Sequence, residues 1–403
     1  MEVEFNPFDP EFQADPYPFY RRLRETAPVH WVDLPRIEIP GFDLPGVWMV
    51  TRYADVTSVL RDERFSVRRP MMEALAASTA LAGMTRSLLF VDPPDHTRLR
   101  TLVTKAFTPR VVEGLRPRIR SIVDELLRPA ARSGRVELIR DLAAPLPVIV
   151  IAELLGIPIA DRERFKRWSD DLVVVADSSR AMAGIVEAER AAGELGEYLR
   201  GIIAARRVFP RDDLISALVG AHDQGRGLSE EELLATCTLL LVAGNETTTN
   251  LIGNALLALV RHPNEFARLH ADASLVRGAV EECLRYDSPV QLTSRVATCD
   301  VDVGGQLVRA GEEVDLLIGA ANRDPEQFAD PDRLDVMRTD CRPVSFGHGI
   351  HFCLGAALAR VEAQIALETL TMRFPNTRLD DEAPRLREGF VLRGPASLPL
   401  ALG

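Results

Sequence analysis

Phe346-Gly-His-Gly-Ile-His-Phe-Cys-Leu-Gly355 runs directly into Ala356-Ala-Leu-Ala-Arg360, a helix-forming stretch. Gly347 and Gly349 permit a tight loop whose backbone approaches a flat ligand, because glycine carries no Cβ to hold it away. Cys353 then stands at the mouth of the following helix. The N-terminal end of a helix dipole favours a thiolate, the form of cysteine that ligates metal.

Three readings of this stretch compete. One is a buried cysteine beside a turn. A second is a zinc site drawing on Cys341, His348, His351 and Cys353. Zinc ligands usually come as C-x₂₋₄-C pairs, and four donors crowded before one helix fit that geometry poorly. The third is a haem with one axial thiolate, which needs a single cysteine in an open loop.

Upstream, Ser229 and Glu232 form an S-x-x-E capping box, with Leu228 and Leu233 placed as a hydrophobic staple. No proline follows until Pro263, so a helix from Ser229 to Val260 is expected, about 48 Å long at the usual rise. Leu239-Leu-Leu-Val-Ala243 is apolar all round, so this helix should cross the interior. Its middle carries Gly244-Asn-Glu-Thr-Thr-Thr249, and helical spacing puts Leu239, Ala243, Glu246, Thr247 and Asn250 on one buried stripe. Glycine and threonine are poor helix formers, and a buried Glu246 is costly without a partner. A well-capped helix spoiled at its centre points to function; threonines and a glutamate satisfied by backbone bonds or water are the plainer alternative.

The chain has 403 residues, beyond the ~250–300 at which single cores stop growing, which suggests two or three lobes. Hydrophobic residues at 46% and charged ones at 27% exclude a disordered or fibrous protein. The net charge of −11 argues against nucleic-acid binding. The five cysteines, Cys237, Cys283, Cys299, Cys341 and Cys353, form no CxxC pair, which argues for a reducing compartment. No signal peptide and no membrane anchor are read, so a soluble, cytoplasmic protein is expected. Short apolar runs such as Val47–Val50 lie between turn signals in the first ~65 residues and read as β structure. Val111 to Leu127 and Glu187 to Ala205 read as helices, and residues 69–87 as a long loop with short helical pieces.

With these stretches together, the chain resembles the cytochrome P450 family in its soluble bacterial form. Phe346–Gly355 is similar to the complete F-G-x-G-x-H-x-C-x-G haem-thiolate signature. Asp92-Pro-Pro-Asp-His-Thr-Arg-Leu-Arg100 resembles the segment ahead of the family's C helix, and Ala243-Gly-Asn-Glu-Thr247 its oxygen-activating kink. Glu282-Cys-Leu-Arg285 resembles the E-x-x-R pair, and Asn322-Arg-Asp-Pro and Asp335-Val-Met-Arg338 the segments leading to the haem loop. The resemblance implies a mainly α fold with a small β-rich lobe, a triangular prism with haem between the long helix and the cysteine loop. It implies one domain over 1–403, β-rich mainly at 30–65, 290–320 and 375–403, and α-rich mainly at 95–290 and 355–373.

By the same resemblance, Cys353 is the axial ligand of haem b (iron protoporphyrin IX). His96, Arg100, Arg295 and His351 contact its propionates, and Glu282, Arg285 and Arg338 form a structural network. Glu281 stands at i,i+4 from Arg285, so spacing alone leaves open which acid pairs. Glu246 and Thr247 hold water and relay protons during oxygen activation. Many relatives have aspartate in place of Glu246, and an aromatic residue is common in place of Leu334.

Leu239, Val242, Ala243, Leu292, Val391 and Leu392 are pocket-lining candidates, all apolar, which suits a hydrophobic small molecule. The Met71/Met72/Met84 loop and the 176–184 stretch match variable lids of the family, consistent with a roomy site for a lipid, terpenoid, steroid or macrolide-like compound. The implied activity is O2-dependent monooxygenation, hydroxylation or epoxidation. Electrons come from a ferredoxin and its NAD(P)H-dependent reductase, with Arg100, Arg110 and Arg360 as docking charges on a monomer. A peroxide-driven peroxygenase and a non-catalytic haem-binding sensor are the alternatives.

Overall fold

The computed structural model describes residues 6, 9–34, 44–69, 85–173, 181–221, 227–381 and 383–403. The Met71/Met72/Met84 loop and residues 176–180 of the second lid stretch lie outside the described residues. The predicted long helix spans Glu230–Arg261. Ser229 Oγ accepts from the Glu232 N–H at 3.2 Å, and the Glu232 carboxylate accepts from the Ser229 N–H at 2.7 Å. Leu228 and Leu233 are both buried, as a staple requires. The same Glu232 carboxylate takes a hydrogen bond from Arg98 Nη1 at 3.1 Å, tying the central helix to the Asp95–Val103 helix. The helix ends at His262, ahead of a proline that starts the next helix.

Around this axis pack the helices Pro145–Leu155, Arg162–Val173, Val276–Tyr286 and Ala356–Arg373. Their apolar faces join in one aliphatic core of leucine, valine, isoleucine and alanine. The two periodic stretches extend beyond their predicted ends, to Pro109–Ser133 and Ala181–Val208. In the first, Thr108 caps the start and Gly134 closes the end at φ 69°, the left-handed position where glycine is at home.

The β portion is a five-stranded sheet in the order Val29–Asp33, Gly46–Val50, Glu313–Leu317, Leu292–Ala297, Phe65–Ser66. Two further clusters of apolar side chains cover its faces. A small strand at Arg135–Glu137 pairs with Pro399–Ala401, inside the stretch read as α-rich. Three residues directly after a glycine stop are too few to show a period. The molecule is thus mainly α with a small β-rich region. No helix among the described residues is long and apolar enough to cross a membrane.

Candidate active site

The cysteine loop takes its shape from two glycines and one backbone bond. Gly347 and Gly349 lie at φ 70° and 67°. A Cβ on Gly349 would run into the Leu60 carbonyl oxygen. The Cys353 N–H donates to Phe346 O at 2.9 Å, closing the loop just before the Ala356–Arg373 helix. Gly349→Ala is expected to cost about 1–3 kcal/mol through strain at a left-handed position, read as a lower unfolding midpoint and faster haem loss.

Cys353 is accessible at the side chain but deep among protein atoms. Burial pushes its thiol up, opposed by hydrogen bonds from the Gly355 and Ala356 N–H groups and by the Arg100 and Arg360 charges. The helix terminus therefore acts as the sequence reading expects, but desolvation outweighs it. Arg360 is no free docking charge: it pairs with Glu281 at 2.6 Å and lies over the Phe346 ring at 4.4 Å. Arg110 is exposed.

Beside the cysteine, four side chains from three elements converge. His96 and Arg100 come from the Asp95–Val103 helix, Arg295 from the Leu292–Ala297 strand and His351 from the loop. The His96 and His351 rings lie 4.1 Å apart, and all four of their ring nitrogens are buried without a hydrogen-bond partner. Among the described residues Arg295 bonds only to its own strand, at the Ser294 carbonyl and Thr293 hydroxyl, and Arg100 to the Phe352 carbonyl at 2.5 Å. Neither arginine forms an ion pair among the described residues. Burial drives Arg295 down to about 10. Burial, then the charges of His96, Arg295 and Arg100, drive His351 down to about 3. Buried polar groups of this kind, with donors left over, are suited to receive an anion. Two carboxylates beside an accessible thiol satisfy them, which is the donor set of a thiolate-ligated haem with its propionates.

The central helix offers a narrow opening. Between Leu240 and Leu259 every residue is buried except Ala243, Gly244 and Thr247, which share one face. A Cβ at Gly244 would meet nothing within 4 Å. The predicted stripe therefore divides: Ala243 is exposed and Thr247 partly so, whereas Glu246 and Asn250 are buried. Thr247 Oγ1 donates to Ala243 O at 2.9 Å, and the helix runs on without a break. Glu246 pairs with Arg387 at 2.7 Å. Burial pushes the Glu246 carboxyl up, opposed by the Arg387 charge. Of the apolar candidates, Leu239 and Val242 pack in the main core. Leu292 and Val391 belong to the cluster around Tyr20 and Met49, and Leu392 bridges to Val290.

The family model for cytochrome P450 matches residues 45–398. The chain belongs to the cytochrome P450 family. It is 41% identical to the biotin biosynthesis cytochrome P450 of Bacillus subtilis, over 99% of both chains. It is 45% identical to mycinamicin IV hydroxylase/epoxidase of Micromonospora griseorubida, over 94% of each. Its fold is similar to the crystal structure of P450BioI in complex with an acyl carrier protein bearing hexadec-9Z-enoic acid, with a TM-score of 0.91, 41% identity and coverage of 97% and 99%. This P450 is accordingly an oxidoreductase of the monooxygenase class whose cofactor is a haem held by a cysteine thiolate.

Behind the loop, Glu282 and Arg285 of this P450 pair at 2.7 Å, both wholly buried. Arg338 reaches the same carboxylate at 3.0 Å, and the Asp335 N–H donates to it at 2.9 Å. Arg285 also donates to the carbonyls of Asn322, Pro331 and Arg333. Glu281, the alternative acid, is committed to Arg360. Cys341, a donor in the zinc reading, directs its thiol at Glu282 at 3.6 Å. Arg387 escaped the sequence reading altogether, because its partner lies on a distant helix and no local spacing marks the pair.

Proposed function

We propose that this P450 inserts one oxygen atom of O2 into a hydrophobic small molecule, by hydroxylation or epoxidation, with electrons from a ferredoxin and its NAD(P)H-dependent reductase. A long acyl chain or a macrolide-like compound suits it best, since relatives over nearly the whole chain are named for, or bound to, such molecules. The observation that carries the reading is the three-residue opening of Ala243, Gly244 and Thr247 in the otherwise buried stretch from Leu240 to Leu259 of the central helix. The reading takes the chain as one domain, monomeric and cytoplasmic, with haem b as cofactor.

Cys353 would hold the iron, while His96, Arg100, Arg295 and His351 would take the two propionates through charge-assisted bonds. When bound, the haem supplies the redox chemistry of oxygen activation. Ala243 and Gly244 leave room for substrate, and the apolar residues Leu239, Leu292, Val391 and Leu392 exclude water from its surroundings. Thr247 Oγ1 donates its proton to Ala243 O, which leaves the oxygen free to accept a hydrogen bond at the opening. Glu246, one residue earlier, is the group that exchanges protons with the exterior.

Thr247→Ala should leave haem content unchanged while diverting reducing equivalents from product to peroxide. Comparing NADPH consumed, product and peroxide checks this, and a variant that keeps wild-type coupling removes Thr247 from the role. Spin-shift titration with fatty acids and macrolides, followed by turnover with a surrogate ferredoxin and reductase against peroxide alone, tests the whole reading. Product only with peroxide would favour a peroxygenase, and product in neither arm a haem-binding sensor.

A further inference from the structure

The C-terminal hairpin is registered against the central helix just beyond Glu246. Arg385–Leu386 pairs antiparallel with Pro395–Ser397, and the Arg387 N–H donates to Gly394 O at 2.9 Å. Gly394 lies so close to Asn250 that a Cβ would collide with its side chain, and a Cβ on Gly253 would sit 2.8 Å from the Pro395 ring. Asn254 Nδ2 donates to Arg393 O at 3.0 Å. These contacts fix the hairpin one to two turns past Glu246 and deliver Arg387 to the carboxylate at 2.7 Å.

The surroundings leave Arg387 as the counter-charge. Lys166 and Asp170, from the Arg162–Val173 helix, face the same carboxylate but pair with each other at 2.5 Å. Asn250, on the central helix, is fully buried, and its neutral amide also faces the Glu246 carboxylate and favours the ionised form. Arg387 itself is 35% exposed at the side chain, whereas Glu246 is 6% exposed. One member of the pair meets solvent, the other sits beside Thr247.

We propose that Arg387 is a positioning residue for oxygen activation: presented by the C-terminal hairpin, it holds the buried Glu246 carboxylate ionised and fixed in direction next to Thr247. This rests on the proton-relay reading of Glu246 above. An ionised carboxylate accepts a proton from the solvent side, where the guanidinium stands. Without the guanidinium, burial favours the neutral acid and the acceptor is lost.

Infrared difference spectra of ferric holoenzyme at neutral pH test the pairing without turnover. Subtracting the wild-type spectrum cancels other buried acids such as Glu362, whose carboxyl burial raises to about 8. Arg387→Gln should show a protonated-carboxyl band that Arg387→Lys lacks and that disappears in the Arg387→Gln/Glu246→Gln double variant. Arg387→Met, which keeps the aliphatic stem, should give the same band if Arg387→Gln fails to retain haem. In turnover, the fraction of electrons reaching product should fall about tenfold in Arg387→Gln and recover in Arg387→Lys. No new band, or a band that survives in the double variant, overturns the proposal. The expected bands with unchanged coupling would confine Arg387 to stability and overturn it equally. A wild type without product despite the expected bands would instead strike the monooxygenase reading.

Discussion

Cys353→Ser should abolish the thiolate-type absorption of the ferrous carbon monoxide complex and reduce product formation to background. Serine is nearly the size of cysteine, and the bonds that shape the loop are made by backbone atoms, including Cys353 N–H to Phe346 O. The loop should therefore survive, and with it the cluster of His96, Arg100, Arg295 and His351. The hydroxyl cannot replace the thiolate's electron donation, which favours O–O cleavage in this class of haem site. Haem is expected to remain bound, more weakly, through its propionates. A variant that keeps the thiolate-type spectrum would remove Cys353 as ligand.

Arg285→Ala should cost about 3–5 kcal/mol, because it leaves the Glu282 carboxylate buried with one partner fewer. A native stability of about 5–15 kcal/mol makes that a large fraction of the whole. Arg285 also donates to three loop carbonyls, so its loss leaves those acceptors unpaired in the segment that leads to the cysteine loop. Arg285→Lys restores the charge but not the two-pronged geometry and should recover only part of the loss. Arg338→Ala should cost less, since that side chain is partly exposed and water can replace it. Denaturant midpoints and the fraction recovered with haem bound give the order. An Arg285→Ala midpoint equal to wild type would refute this account of the network.

The elements legible in the sequence are those with local chemistry. The capping box at Ser229 and the unbroken apolar run behind it located the central helix to within a residue, and the Phe346–Gly355 loop identified the family outright. What stayed hidden depends on tertiary register. The strand at Arg135–Glu137 exists because Pro399–Ala401 lies beside it. Glu246 found a partner in Arg387 because the hairpin is docked by Gly394 and Gly253, glycines with no local signature. Whether Glu281 or Glu282 paired with Arg285 turned on which carboxylate faced the interior, and Arg360 removed Glu281 from contention. Periodicity could not divide Ala243 from Glu246 either, since a helical stripe says that residues share a side and not what covers it.

For anyone wishing to redirect this enzyme toward new compounds, the narrow opening in the central helix sets the terms. Random substitution along it would mostly produce unfolded protein, because from Asn245 to Leu259 only Thr247 is spared by the core. Libraries confined to Ala243 and Gly244 avoid that loss. A side chain at Gly244 would meet no protein atom, so the simplest alteration of substrate range is to narrow the mouth there rather than to enlarge it elsewhere.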